Sequence, residues 1–320
     1  MNIELLIDNL TNPALLFFAL GVLAVKFKSD LEIPPTSSKF ISVYLLFSIG
    51  FKGGQELMHS PFNMEMIWAL IFGVLVASII PIYTFFILKI RLSVSDAGAV
   101  AASYGSVSAV TFVTAVTFLE IQNTHFSGYM VAAMALMEAP AIILGVMLIR
   151  KFSEGNEPQL PFRSILNHSL VNGSVFLIIG SLIIGLLASE EQAQGIKPFT
   201  TDIFKGFLAI FLLDMGIVSG RKLNDFFRQG WFTLLFALII PLINGIVVAK
   251  ASIWVTDDPG NRFIFAVLAA SASYIAVPAA MKMAVPKANP GIFLPMALAI
   301  TFPMNITLGL PLYWIMVNHI

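Results

Sequence analysis

Ten predominantly apolar stretches run through the sequence, at 13–27, 40–58, 64–88, 96–118, 127–149, 170–188, 203–220, 230–254, 262–285 and 291–317. A helix needs about 20 such residues to cross the hydrocarbon core of a bilayer, so each stretch predicts a membrane span. The first is short and is expected to start nearer Leu5 or to lie tilted. The loops between them are mostly brief and polar. Only 11% of the 320 residues are charged, where a soluble domain would carry about a quarter, and mean hydropathy is +0.89. There is too little polar surface to face water on all sides, so the expected class is an all-α polytopic membrane protein. The acidic N-terminal stretch MNIELLIDNL lacks a basic n-region, and no cleaved signal peptide is expected.

Loop charge tests the span count. With ten spans, the termini and the even-numbered loops share one side, which carries four basic residues: Lys197, Lys205, Lys250 and Arg262. The other side collects thirteen, among them Lys26, Lys89, Arg150, Lys151, Arg221 and Lys282. That asymmetry predicts a multi-pass protein of the plasma membrane with both termini outside the cytoplasm. Net charge is +0, which gives no reason to expect a nucleic-acid partner. The chain has no cysteine, which excludes thiol catalysis, disulfides and thiolate metal sites.

The halves of the chain are weakly but orderly self-similar. Ser48-Ile-Gly-Phe-Lys-Gly-Gly-Gln-Glu-Leu57 resembles Asp214-Met-Gly-Ile-Val-Ser-Gly-Arg-Lys-Leu223, and Ile79-Ile80-Pro81 resembles Ile239-Ile240-Pro241. Ala101-Ala102-Ser103 likewise matches Ala269-Ala270-Ser271, and Pro140 and Gly145 match Pro303 and Gly309. The offsets stay near 165 residues. The expected organisation is a first five-helix repeat at 1–152, a cytoplasmic linker at 153–169, and a second repeat at 170–320. Because five is odd, the second copy is inverted. Inverted repeats whose binding site lies where they meet characterise alternating-access transporters.

Two spans depart from ordinary membrane helices. The fourth, AASYGSVSAVTFVTAVT, and the ninth, AASASYIAVPAAMKMA, are rich in Ala, Ser, Gly and Thr and poor in Leu. Pro278 predicts a break near Tyr274–Pro278, and Gly105 followed by Ser106 and Ser108 predicts one in the fourth span. Interrupted helices at membrane depth occur only inside protein or along a water-filled cavity. Two half-helix N-termini meeting there make an anion site of free N–H groups and positive dipole ends. Gly105, Ser106, Ser108, Thr111, Ser271, Ser273 and Tyr274 are therefore the expected substrate-binding residues. The alternative is that small residues serve only close helix packing.

Glu138 and Asp214 fall in the middle of the fifth and seventh spans. A carboxylate at that depth costs roughly 2.5–3.5 kcal/mol, which marks both as candidates for the coupling cation. A purely structural polar network is the alternative. Lys52 and Glu56 sit nearer a membrane face, where they are expected to snorkel or pair locally, and Asp96 is expected to cap the fourth span. His59, His125, His168 and His319 all lie in loops or at span ends. They supply neither a base for an intramembrane serine protease nor metal-ligand spacing. No phosphate-binding loop is present, so neither an enzyme nor an ATP-driven pump is expected, and no cofactor.

These residues resemble the sodium-dependent bicarbonate transporter family of cyanobacteria nearly end to end. The carrying segments are YGSVSAVTFVTAVTFLE, MEAPAIILG with Glu138 at the family's acidic position, Asp214-Met-Gly, and Val285-Pro-Lys-Ala-Asn-Pro290. The resemblance implies ten helices in two inverted five-helix repeats divided into core and gate domains, with discontinuous helices in spans 4 and 9. It also implies elevator-type motion, Na+ as coupling ion, symport of a small anion (bicarbonate) and homo-oligomers, specifically trimers. Tyr274 stands where the family has an acidic residue, Ala276 where it has a nearby serine and Val110 where it has the second serine of span 4. The central loop is short for the family, so its small soluble regulatory protein is not an expected partner. A carrier of another small organic anion, proton-coupled, and a channel or sensor on the same scaffold are the alternative functions.

Overall fold

The computed structural model describes residues 7, 9–59, 62–153, 173–227 and 230–319, and every regular element among them is helical. The expected linker 153–169 lies outside the described residues except for Ser153. Helices cover all ten apolar stretches. They are α1 (Pro13–Lys26), α2 (Pro35–His59), α3 (Met64–Leu88), α4 (Val94–Gly105), α5 (Ala109–Ile121), α6 (Tyr129–Phe152) and α7 (Gly173–Leu187). After the amphipathic turn α8 (Glu190–Lys197) come α9 (Phe204–Phe227), α10 (Trp231–Ala251), α11 (Pro259–Ala270), α12 (Ala276–Ala284) and the run α13 (Pro290–Asn318). Six runs are long and apolar enough to cross a bilayer: Met64–Leu88, Val94–Ile121, Tyr129–Phe152, Glu190–Leu223, Trp231–Trp254 and Pro290–Asn318. The chain is thus a multi-pass membrane protein. Asn12 caps α1 by accepting from the Ala14 N–H, 2.9 Å away, and Pro13 opens it; Leu5, the other expected start, lies outside the described residues.

α1, α2, α7 and α9 form one group, held by two crossings with backbone against backbone. Gly21 of α1 meets Gly216 of α9, and Gly54 of α2 meets Gly185 of α7. A Cβ on Gly216 would sit on the Phe18 carbonyl, 3.0 Å from its carbon and 3.1 Å from the Gly21 Cα. Only glycine allows that approach, the small-residue packing by which helices associate in lipid. Both crossings are parallel, since Val25 in turn meets Gly220, and Gly50 meets Ile178 and Ser181.

The remaining helices enclose α4–α5 and α11–α12. The stretch Val94–Ile121 is 94% buried over its most apolar window, against 39% for Met64–Leu88, so the fourth span meets protein on all sides while α3 keeps a face for lipid. α3 runs parallel to α6, with Gly73 against Met137 and Phe85 against Phe152, and α4 runs antiparallel to α6. The same relations recur in α10, α11 and α13. Thr301 bonds the Ala237 carbonyl, Gly245 abuts Tyr313, and Arg262 reaches Val317.

Two side chains behave differently from expectation. Ser93, not Asp96, caps α4: its hydroxyl accepts from the Asp96 N–H (3.1 Å). Asp96 sits in the first turn, where it accepts from the Ser93 hydroxyl (2.7 Å) and the Asn289 N–H (2.8 Å). Arg262, counted above among loop cations, is buried. Its Nη1 and Nη2 each donate over 3.2 Å, to the carbonyls of Val317 and Ala249. Those carbonyls end α13 and α10, where helix dipoles favour a cation.

Candidate functional site

α4 and α11 are built alike. Each has twelve residues; each starts at a side-chain cap, Ser93 or Asp258, and ends at a serine with extended backbone. Ser106 has φ −81° and ψ 164°, and Ser271 has φ −84° and ψ 167°. Short hydroxyl side chains offer the backbone alternative hydrogen bonds, which is why serine runs interrupt helices. In the fourth span the break comes directly after Gly105, at Ser106–Ser108, as expected; in the ninth it includes Tyr274, as expected, but begins three residues earlier, at Ser271. Helix α4 continues through Gly105, which packs against Pro81 and Ala141. In the ninth span Ser271–Ile275 form the break. Pro278 lies in the first turn of α12, where its missing N–H costs nothing.

The two breaks cross each other. Ser103 Oγ donates to the Ser273 carbonyl (2.6 Å), and the Ser273 N–H donates to the Ser103 carbonyl (2.7 Å). The Ser108 N–H donates to Ser271 Oγ (2.9 Å), which itself donates to the Leu268 carbonyl (2.8 Å). The Ser271 hydroxyl and the N–H groups of Ser108 and Ser273, all on expected anion-binding residues, are thus spent within the crossing. Ser108 Oγ accepts from the Thr111 N–H (3.2 Å) and so caps α5; Thr111 itself is buried in that first turn. Two helix N-termini (α5, α12) and two C-termini (α4, α11) therefore meet at one place, with opposite partial charges side by side. The freed Ala270 carbonyl is taken by Asn305 Nδ2 (2.6 Å), and the Tyr313 hydroxyl donates to Asn305 Oδ1 (3.0 Å). Asn305 opens the second of two π turns in α13, Met296–Thr301 and Asn305–Gly309, an irregularity common at functional sites. Sequence reading missed Asn305: within an apolar run, one asparagine does not reveal which carbonyl it serves.

Two cavities adjoin the crossing. The larger, about 380 Å3, reaches from Glu32 and Arg221 to Tyr274 and Ile275 and includes Asp214. Ser38 Oγ donates to Asp214 (2.5 Å). The smaller, about 10 Å3, lies among Ser108, Glu138, Ser174, Ser273, Tyr274 and Ile275, and has room for about one water or a bare ion. Tyr274 and Ile275 line both and separate them, so Glu138 and Asp214 stand on opposite sides of that wall. Glu138 is buried and makes no hydrogen bond or ion pair with a described residue. The Tyr274 hydroxyl is buried beside Ser108 without hydrogen-bond geometry, and Ser106 Oγ is also buried without a partner among the described residues. Buried polar groups are normally satisfied. The crossing thus gathers two buried hydroxyls without a partner among the described residues, opposed helix ends and a buried carboxyl group that is likewise unpartnered there. Among the described residues no three His, Cys, Asp or Glu cluster as metal ligands.

No curated protein is significantly similar to the chain in sequence. Residues 13–318, nearly its whole length, match the Na+-dependent bicarbonate transporter superfamily, and the chain belongs to that superfamily, as a transporter and not an enzyme.

Proposed function

We propose that this protein is a Na+-coupled symporter of bicarbonate, moving it across the plasma membrane by elevator-type alternating access between two inverted five-helix repeats. The crossing of the two broken helices carries the proposal. It sets Ser106, Ser108, Ser271, Ser273 and Tyr274 around helix N-termini suited to an anion, with Glu138 in a pocket the size of a bare cation. Inverted repeats are supported by caps, breaks and crossings that recur about 165 residues apart. They are supported also by helix direction, since α1 runs parallel to α9 and α2 to α7, as alternating spans of a ten-span chain require. The bias of loop cations supports an orientation with both termini outside the cytoplasm and the larger cavity facing it. α1, α2, α7 and α9 would form the gate domain and the other helices the core that moves against it. The family resemblance extends the proposal to homotrimers.

Proteoliposomes test it: labelled bicarbonate should accumulate with an inward Na+ gradient and stop accumulating when the gradient is collapsed. Uptake indifferent to the gradient overturns Na+ coupling, and no uptake overturns bicarbonate. The larger cavity favours a second reading, because about 380 Å3 far exceeds what a three-oxygen anion fills. A small organic carboxylate carried with a proton would also use the Tyr274 phenol. Competition of bicarbonate uptake by monocarboxylates at several pH values separates the two.

A further inference from the structure

A second cavity has no role in the site described so far. It encloses about 230 Å3 and is lined by Ile49, Lys52, Gly53 and Glu56 of α2, Phe204 of α9, and Val116 and Glu120 of α5. The larger cavity at Tyr274 is lined by Asp214, Ile217, Val218 and Arg221 of α9 and by Lys39 of α2. Each of these five residues stands 165 positions from its counterpart in the second cavity: 214 from 49, 217 from 52, 218 from 53, 221 from 56, and 39 from 204. One cavity sits at the start of α2 and the far part of α9. The other sits at the end of α2 and the start of α9. Since α2 and α9 pack antiparallel, through Tyr44 on Phe207 (ring centroids 4.4 Å apart) and Ser38 on Asp214, the cavities open at opposite ends of the same helix pair.

They differ in depth. The first reaches the crossing at Tyr274; the second stops at Val116 and Phe204. Across its rim, Glu120 binds Lys52 (3.3 Å) and Lys205 (3.2 Å), tying α5 to both α2 and α9. Lys52 and Glu120 are about one-third exposed and Lys205 nearly two-thirds. Such half-solvated pairs are individually weak, so the tie is one that ordinary thermal motion can undo.

We propose that this cavity is a second admission site for a small oxyanion, on the membrane face opposite the Tyr274 cavity, where Lys52 receives the anion once Glu120 releases it. The proposal rests on the transport reading, and its test is chosen to fail separately from it. The chain has no cysteine, so single cysteines can be labelled against a silent background with a membrane-impermeant thiol reagent. V116C is expected to react from one face and S42C, in the first cavity, from the other. Glu120→Gln should speed V116C labelling five-fold or more, and bicarbonate added on that face should slow it. Lys52→Met, which removes the α2 half of the tie and leaves Lys205 on Glu120, should speed labelling less than Glu120→Gln does and without conferring protection by bicarbonate. Labelling of V116C and S42C from the same face overturns the proposal. So does V116C labelling unchanged by both substitutions, or labelling indifferent to bicarbonate in a protein that takes bicarbonate up. If labelling accelerates as expected while no bicarbonate uptake occurs, only the bicarbonate assignment falls, and the cavity's access role stands.

Discussion

Replacing Glu138 by glutamine should make the protein more stable and less active at once. The swap keeps side-chain volume and removes an ionisable group that is 8% exposed and has no partner among the described residues. An unpaired carboxylate at membrane depth costs roughly 2.5–3.5 kcal/mol, and a neutral amide costs less, so E138Q should gain about 1–3 kcal/mol when no ion is bound and the assay is alkaline enough to ionise Glu138. Where Glu138 takes up a proton instead, the gain vanishes. For a chain of this size the full gain is a rise of several degrees in Tm. If Glu138 holds Na+, the wild type should recover part of the difference by mass action when choline is replaced by Na+, and E138Q should not respond. Coupled uptake in proteoliposomes should drop at least about ten-fold, equivalent to about 1.4 kcal/mol. Melting in detergent with and without Na+, alongside uptake, decides the matter. A Tm that falls together with uptake, or an E138Q protein that still stiffens with Na+, would refute a coupling role and make Glu138 part of a structural network.

Other substitutions test other parts of the molecule. Ser108→Leu fills the pocket between the breaks and should abolish uptake while cysteine-labelling topology stays as in the wild type; transport that survives it puts the anion elsewhere. Arg262→Met removes the donors to the Ala249 and Val317 carbonyls and should destabilise by about 3 kcal/mol, since each bond to a charged group contributes about 1.5–3 kcal/mol; unchanged melting shows that water takes over both carbonyls. Gly216→Ala pushes a methyl onto the Phe18 carbonyl and should cost about 1–3 kcal/mol, with Gly21→Ala adding less than its own cost because the two share one contact. Full additivity in that double variant means the crossing relaxes without the helices parting.

Much of this architecture is legible in the sequence, because lipid permits little besides helices and an apolar run of twenty residues has few other fates. The interrupted spans are legible for a similar reason: Ala-Ser-rich stretches are conspicuous among Leu and Ile. The fourth-span break at Ser106–Ser108 is legible as well, whereas the start of the ninth-span break at Ser271, ahead of Tyr274, is not. Glycine and proline carry the textual signal at Gly105 and Pro278, yet Gly105 is used for packing against Pro81, and Pro278 is harmless within a first turn. The serines break the chain because each finds its partner in the other half, Ser103 on Ser273 and Ser108 on Ser271. Contacts over some 165 residues leave no local pattern. The same holds for Ser38 on Asp214 and for Lys52 on Glu120, where a local pairing was expected. Glu138 and Asp214 were recognisable as costly charges, but only the fold shows Tyr274 standing between them.

The glycine crossings also set an order of assembly. α1 has its seat on α9 and α2 on α7, so each early helix belongs to a partner made from the other half of the chain. Gly21 leaves the ribosome 195 residues before Gly216. At about 5–20 residues per second that is roughly 10–40 s for α1, and roughly 7–26 s for α2, whose Gly54 precedes Gly185 by 131 residues; for that time their glycine faces stand uncovered in the membrane. The newborn first half is thus an unfinished surface that waits for the second, and the insertion machinery or the surrounding lipid must shield it until α7 and α9 arrive.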